Sequence, residues 1–395
     1  MESMLKKLVR EVDSYILEAQ GFLQILNAHS QYITIQTGQS RQAPITPSPT
    51  KRTCLGDTAS KEVWVGTPFP GSRSWDSEDN DEEWGRTHSL SSQSTKVRVP
   101  QKLEKIWKLK HGTPVLATAL SSFTRHAFTC GSDGVKVWSL ASQTVENPVP
   151  ETHLHIQTQG SMVHTCHLTS DSTTLLMAGN SVAGVSVWDL KAPTLHMKSK
   201  LPSSGFACQA LASSLENNLA LGSLSNGIIR IWDLRSGQVV RYSPDPATKI
   251  VVMDQQVWAG SQEGSLQCWD LQNLTEPQKY QFDSQITALS PHPQEDFVLV
   301  GLSSGQQWLQ PTSGGLRQMV GCKEDTILDL TFSPKGQWWV SVGMDNLLSI
   351  YHMPAGTPGL QVARSSSIVC CDVAQNDRLL ITGSRNHCTL YQIQY

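Results

Sequence analysis

From about residue 101 onward, apolar and polar residues alternate in short runs, and this period of two predicts strand after strand. The clearest unit is Phe206–Leu234. It reads as a strand at Phe206–Ala212, a turn at Glu216-Asn217-Asn218, and a strand at Leu219–Gly222. A second turn at Ser225-Asn226-Gly227 leads into a strand at Ile228–Trp232. Equivalent second turns are Ser132-Asp133-Gly134, Ala183-Gly184, Glu263-Gly264, Ser304-Gly305, Asp345-Asn346 and Asn386-His387. Asp, Asn and Gly recur there because tight hairpins need positive φ.

Each unit ends in an aromatic residue: Trp138, Trp188, Trp232, Trp269, Trp308, Tyr351 and Tyr391, at intervals of 37 to 50 residues. Three sit in an explicit Trp-Asp-Leu, at Trp188-Asp189-Leu190, Trp232-Asp233-Leu234 and Trp269-Asp270-Leu271. A period near 40 closing on Trp-Asp is the signature of WD40 blades, each a four-stranded unit of a β-propeller. A blade cannot bury both faces alone, so seven in series predict an all-β, seven-bladed ring over residues 101–395. The terminal aromatics then pack between neighbouring blades. The last unit is one strand short at Tyr395, and residues 102–110 alternate charged and apolar side chains. Borrowing that N-terminal strand would close the ring and remove both edges. The shortest interval, 37 residues to Trp269, is where local distortion is expected.

The N-terminal residues follow other patterns. Over 4–28, Leu5, Leu8, Val12, Tyr15, Ala19, Phe22 and Leu26 recur at steps of three and four, which predicts a short amphipathic helix within a segment 1–37. It either docks on its own protein or serves as a self-association or partner helix. Residues 38–100 are poor in aliphatics and rich in Ser, Thr, Pro and Gly, the composition of a disordered linker. Asp76–Glu83 carries six acids in eight residues, and Lys96, Arg98, Lys102, Lys105, Lys108 and Lys110 form a basic stretch. Such runs are usually solvated faces or tails. Thr46 and Ser48 are proline-directed phosphorylation candidates, and Ser89 and Ser367 fit a basophilic-kinase minimum.

Composition narrows the function more than the fold. A formal charge of −3 argues against a nucleic-acid footprint over the whole molecule. The basic stretch lacks stacking aromatics beyond Trp107, so no direct nucleic-acid partner is expected. Nine cysteines without a C-x-x-C suggest a reducing compartment. The N-terminus lacks an apolar signal region and no run approaches a membrane span, so the expected location is cytoplasm, nucleus or both, not secreted. Gly301-Leu302-Ser303-Ser304-Gly305 matches a G-x-S-x-G nucleophile elbow, but the same slot reads Gly131-Ser132-Asp133-Gly134 and Gly260-Ser261-Gln262-Glu263-Gly264 elsewhere. Repetition makes it turn chemistry. His153 with His155, and Cys166 with His167, have no four-ligand zinc spacing. No phosphate-binding glycine fingerprint occurs, so no enzyme, metal or cofactor is expected.

The repeat region resembles the WD40 domain of the Groucho/transducin-like enhancer corepressors. The resemblance rests on Arg125-His126-Ala127-Phe128-Thr129, Val135-Lys136-Val137-Trp138, Asp345-Asn346-Leu347-Leu348, Ser365–Asp372 and the closing Tyr391-Gln392-Ile393-Gln394-Tyr395. It implies a site for short peptides ending in Trp-Arg-Pro-Trp at the mouth of the central channel. The corresponding positions here are Pro114, Leu116, Met162, His164, Asn180, Thr287, Leu328 and Val369. The family typically has Tyr and Arg where Met162 and His164 stand, Glu for Asn180 and Phe for Thr287. Leu328 and Val369 keep their apolar character. Losing two charged anchors and two aromatics predicts a weaker or different peptide.

The resemblance implies non-catalytic interaction with other proteins, in one of two settings. One is a cytoplasmic scaffold, a subunit of the subcortical maternal complex needed for early embryonic cleavage. The other is a nuclear transcriptional co-regulator, corepressor or antagonist of longer family members. The Gln-rich tetramerisation region typical of those corepressors has no counterpart before the propeller, so a homo-tetramer is not expected.

Overall fold

A computed structural model describes residues 98–395, apart from 123–124, 141–147, 156–161, 181–183, 192–195, 244–245, 273–276, 354–357 and 386. The expected helix over 4–28, the linker as far as residue 97, and Thr46, Ser48 and Ser89 lie outside the described residues. Within them the chain is all β: seven four-stranded antiparallel sheets in sequence order, the blades of a propeller. Their innermost strands are Val115–Leu120, Met162–Leu168, Cys208–Ser214, Lys249–Met253, Ile286–Pro291, Ile327–Phe332 and Ile368–Val373. Blade 7 draws its fourth strand from the other end of the chain. Lys102–Lys110 pairs antiparallel with His387–Gln394, which closes the ring as the alternation of residues 102–110 predicts.

Seven apolar clusters make up the core, and each joins two successive blades around one of the seven aromatics. Trp138 sits between blades 7 and 1 with Leu109, Val115, Cys370 and Leu390. Trp232 seals blades 2 and 3, and Tyr391 seals blades 6 and 7. Trp138 and Trp232 are wholly buried, so truncating either to Ala would cost about 3–5 kcal/mol. Cys130, Cys208, Cys370 and Cys388 pack into these clusters as small apolar groups.

Hairpin turns explain the recurrent glycines where they press on the connection that leaves the same blade's outer strand. Gly134 (φ 129°) and Gly305 (φ 84°) hold left-handed backbone, and a Cβ would strike the carbonyl oxygens of Leu154 and Lys323. Gly305 thus belongs to a turn between the strands Phe297–Leu302 and Gln306–Pro311, with no helix following, and the G-x-S-x-G match is a hairpin.

Two expectations change. The lead-in joins the ring before residue 101: Pro100 is buried and the Arg98 N–H donates to Gln337 Oε1 at 3.1 Å, so residues 98–100 belong to the propeller rather than the linker. Blade 4, which ends in Trp269, carries no distortion of register in any of its three strand pairs. Its short interval is absorbed by a tight turn at Asp254-Gln255, where Asp254 takes a φ of 50°.

Blade 1 is locked to blade 7 by a chain of hydrogen bonds. Trp138 Nε1–H donates to Thr129 Oγ1 at 2.8 Å, Thr129 Oγ1 lies 2.8 Å from His111 Nδ1, and His111 Nε2 lies 3.0 Å from Asp133 Oδ1. Because the Asp133 carboxylate can only accept, the neutral imidazole carries its proton on Nε2, and Thr129 Oγ1 donates to Nδ1. Burial, against the pull of Asp133, holds the His111 pKa below its ordinary value.

Candidate functional site: the channel mouth

Antiparallel order brings the start of each innermost strand and the end of each second strand to one rim. In six blades the innermost strand carries an extra residue near its start. The register breaks around Leu116, His164, Gln209, Thr287, Leu328 and Val369. A bulge re-aims a side chain and ends regular pairing, a recurrent device at barrel rims and binding sites. Five of these six are positions that the family resemblance assigns to peptide binding. Blade 4 pairs without a break at this point.

Four of the bulges border a channel cavity of about 360 Å³, lined by Leu116, His164, Gln209, Lys249, Asp329 and Val369 among others. Of the eight expected site residues, Leu116, His164 and Val369 border it. Met162 and Asn180 face each other at the rim, where Met162 is 36% exposed. Pro114 is exposed one residue before its strand. Thr287 and Leu328 are half-buried and do not border the cavity, and the Thr287 hydroxyl donates to Gly301 O at 3.1 Å within its own blade. Ser367 lies in the turn entering blade 7. Its neighbour Arg364 is engaged by the fold, donating from Nη2 to Thr389 Oγ1 at 2.9 Å.

The most informative contact is His164 Nε2 to Asn180 Oδ1, at 2.9 Å. These are the two positions where the family resemblance implies Arg and Glu. Here they form a cross-strand contact between an imidazole and an amide. Burial lowers the His164 pKa, with the Asn180 bond opposing, so the pair is neutral at physiological pH. A neutral pair orients a ligand less strongly than an arginine–carboxylate pair.

Sequence reasoning missed Gln209, Lys249 and Asp329. Asp329 accepts the Cys371 N–H at 3.0 Å and bridges blades 6 and 7; burial raises its pKa, against the opposing pull of Lys249. A lone charge in an otherwise apolar strand was the available signal for both. Gln209 has no such signal; only the bulge reveals it.

Comparisons with known proteins agree with this fold. A model of the WD domain, G-beta repeat, matches residues 316–352, from the end of blade 5 through the third strand of blade 6. Transducin-like enhancer protein 6 of Homo sapiens is 52% identical over 330 residues, covering 83% of this chain and 58% of that protein. Transducin-like enhancer protein 2 of Mus musculus is 32% identical over 303 residues, 75% of this chain and 39% of the relative. Protein groucho of Drosophila melanogaster is 31% identical over 305 residues, 76% of this chain and 41% of the relative. The chain thus spans less than two thirds of the length of these relatives. It belongs to the Groucho/transducin-like enhancer family of WD-repeat proteins.

Proposed function

We propose that this chain is a non-catalytic scaffold that holds a segment of a partner protein at its channel mouth, as a subunit of the cytoplasmic subcortical maternal complex needed for early embryonic cleavage. The observation that carries this reading is the neutral His164–Asn180 contact among bulge residues that are otherwise apolar or uncharged. Such a mouth favours an apolar, uncharged segment over a peptide needing paired charges. A mouth of this kind supplies contact area and shape, as a scaffold requires.

A second reading, nuclear co-regulation, draws support from Leu328 and Val369, which stay apolar at two bulges. Sedimentation of egg cytoplasm and nuclei separates the two. The scaffold reading expects the chain in a large cytoplasmic assembly and expects Val369→Asp to release it. A slowly sedimenting chain enriched on chromatin would instead support the co-regulator.

A further inference from the structure

The fold makes Lys102–Lys110 the outermost strand of blade 7 rather than a solvated basic tail. One edge pairs with His387–Gln394; the other has no strand beside it among the described residues. The register breaks between Lys105 and Trp107, with Ile106 as the extra residue. Without that bulge, alternation would put Lys105 on the opposite face from Lys108 and Lys110. With it, Lys105, Lys108 and Lys110 stand beside Tyr391, Thr389 and His387, which share one face of their strand.

All three lysines are exposed. Arg364 reaches the same face, bonded to Thr389 Oγ1 and lying 5.8 Å from the Tyr391 ring centre. The pKa of His387 is lowered by burial first, then by Lys108, Arg364 and Lys105, so these charges crowd one spot. No acid from the four strands of blade 7 shares this face. The outer strand's one carboxylate, Glu104, takes the other face and accepts from Gln394 Nε2 at 2.6 Å.

Edge lysines can simply deter unwanted pairing. Yet the outer strands of blades 5 and 6, Gln318–Cys322 and Pro358–Ala363, also have no further strand paired to them among the described residues, and they carry no charged residue at all. Protection therefore does not require three lysines turned to one face. Nor does the patch suit nucleic acid: Trp107 packs into the core between blades 7 and 1, and the Tyr391 ring is buried, which leaves no stacking platform.

We propose that the outer edge of blade 7 is a second docking site, which takes an extended Glu/Asp-rich segment of a partner protein as an added strand. An incoming strand would lie about 4.8 Å from Lys102–Lys110, so alternate carboxylates stand beside Lys105, Lys108 and Lys110. The backbone ladder supplies affinity, and the bulge-aligned lysines select the charge pattern.

Fluorescence anisotropy on the full chain, with a labelled peptide of alternating Glu and Thr, tests this. We expect binding that weakens with salt and falls roughly tenfold or more in Lys105→Glu/Lys108→Glu. Should that variant fold poorly, Lys105→Gln/Lys108→Gln, with an unchanged melting curve, should still lose about threefold or more. N-methylation of alternate peptide amides should abolish binding, while Val369→Asp should leave it intact because the channel mouth is a separate site. Undiminished binding by the N-methylated peptide or by the glutamine variant would overturn the proposal. So would tighter binding of an oligouridine RNA that displaces the peptide.

Discussion

Lys323 Nζ lies 2.9 Å from Asp345 Oδ2, and both side chains are almost wholly buried. Each stands where blade 1 has His111 and Asp133, four residues before the innermost strand and two after the glycine that ends the second. A lysine has thus replaced a neutral imidazole in the equivalent lock. Its ammonium also donates to Leu347 O at 3.0 Å and Ser349 Oγ at 3.1 Å, which satisfies all three protons. Burial lowers the Lys323 pKa and Asp345 pulls it back up.

Removing one partner of such a pair strands the other. Asp345→Ala should destabilise the propeller by about 3–5 kcal/mol in urea unfolding, more than an exposed ion pair could explain. Lys323→Met/Asp345→Leu should recover most of that loss, because replacing both charges leaves nothing uncompensated. A double variant as unstable as Asp345→Ala would show that the loss comes from packing.

Two titratable groups at the lower channel should oppose each other in pH dependence. Asp372 accepts the Leu120 N–H at 2.7 Å, and burial pushes its pKa up to about 7. The native state therefore holds a proton that the unfolded chain releases near pH 4, and stability falls as pH rises from there toward 7. His167 lies 2.9 Å from Ser213 Oγ, and burial pushes its pKa down to about 4. The unfolded chain gains a proton that the native state refuses, so stability falls as pH drops from about 6.5 toward 4. Both groups border a pocket of about 210 Å³. Asp372→Asn should expose the histidine slope and His167→Gln the aspartate slope, each below about 1.4 kcal/mol per pH unit. Urea midpoints across pH 4 to 7.5 check the two signs. Identical pH profiles for the wild type and both variants would contradict them.

Ring closure should depend on the N-terminal strand. Leu109 is fully buried between blades 7 and 1, so Leu109→Asp places an unpaired charge in the core and should cost well over about 3 kcal/mol. A chain starting after residue 110 exposes the edge of His387–Gln394 and should aggregate on light scattering.

Hydrogen bonding separates otherwise equivalent tryptophans. Trp138 Nε1 has Thr129 as acceptor, whereas buried Trp269 Nε1 has no partner among the described residues. Both Phe variants lose the same volume. Trp138→Phe should therefore cost about 1 kcal/mol more than Trp269→Phe, by thermal melting.

Blade number, order and closure were legible because turn chemistry and terminal aromatics recur in register with the strands. Ser225-Asn226-Gly227 and Trp232 are read without ambiguity because each has a local cause, positive φ or a large buried ring. Blade 4 was misjudged because an interval counts residues and cannot tell whether a turn or a strand has shortened. The channel mouth was legible only through the family resemblance. A β-bulge leaves no trace in hydrophobic pattern, so nothing local marks Leu116 or Gln209. The neutral contact of His164 with Asn180 joins residues on different strands, and periodicity is blind to such pairs. Lys105 shows the same limit, since its face depends on one extra residue at Ile106.

The central claim, that the mouth has changed its ligand, is tested most directly by titrating a labelled peptide ending in Trp-Arg-Pro-Trp against the full chain. The comparison is a variant carrying Met162→Tyr, His164→Arg, Asn180→Glu and Thr287→Phe. Restoring two aromatics and a charged pair should strengthen binding by roughly a hundredfold over the wild type. Equally tight binding by wild type and variant would contradict the account.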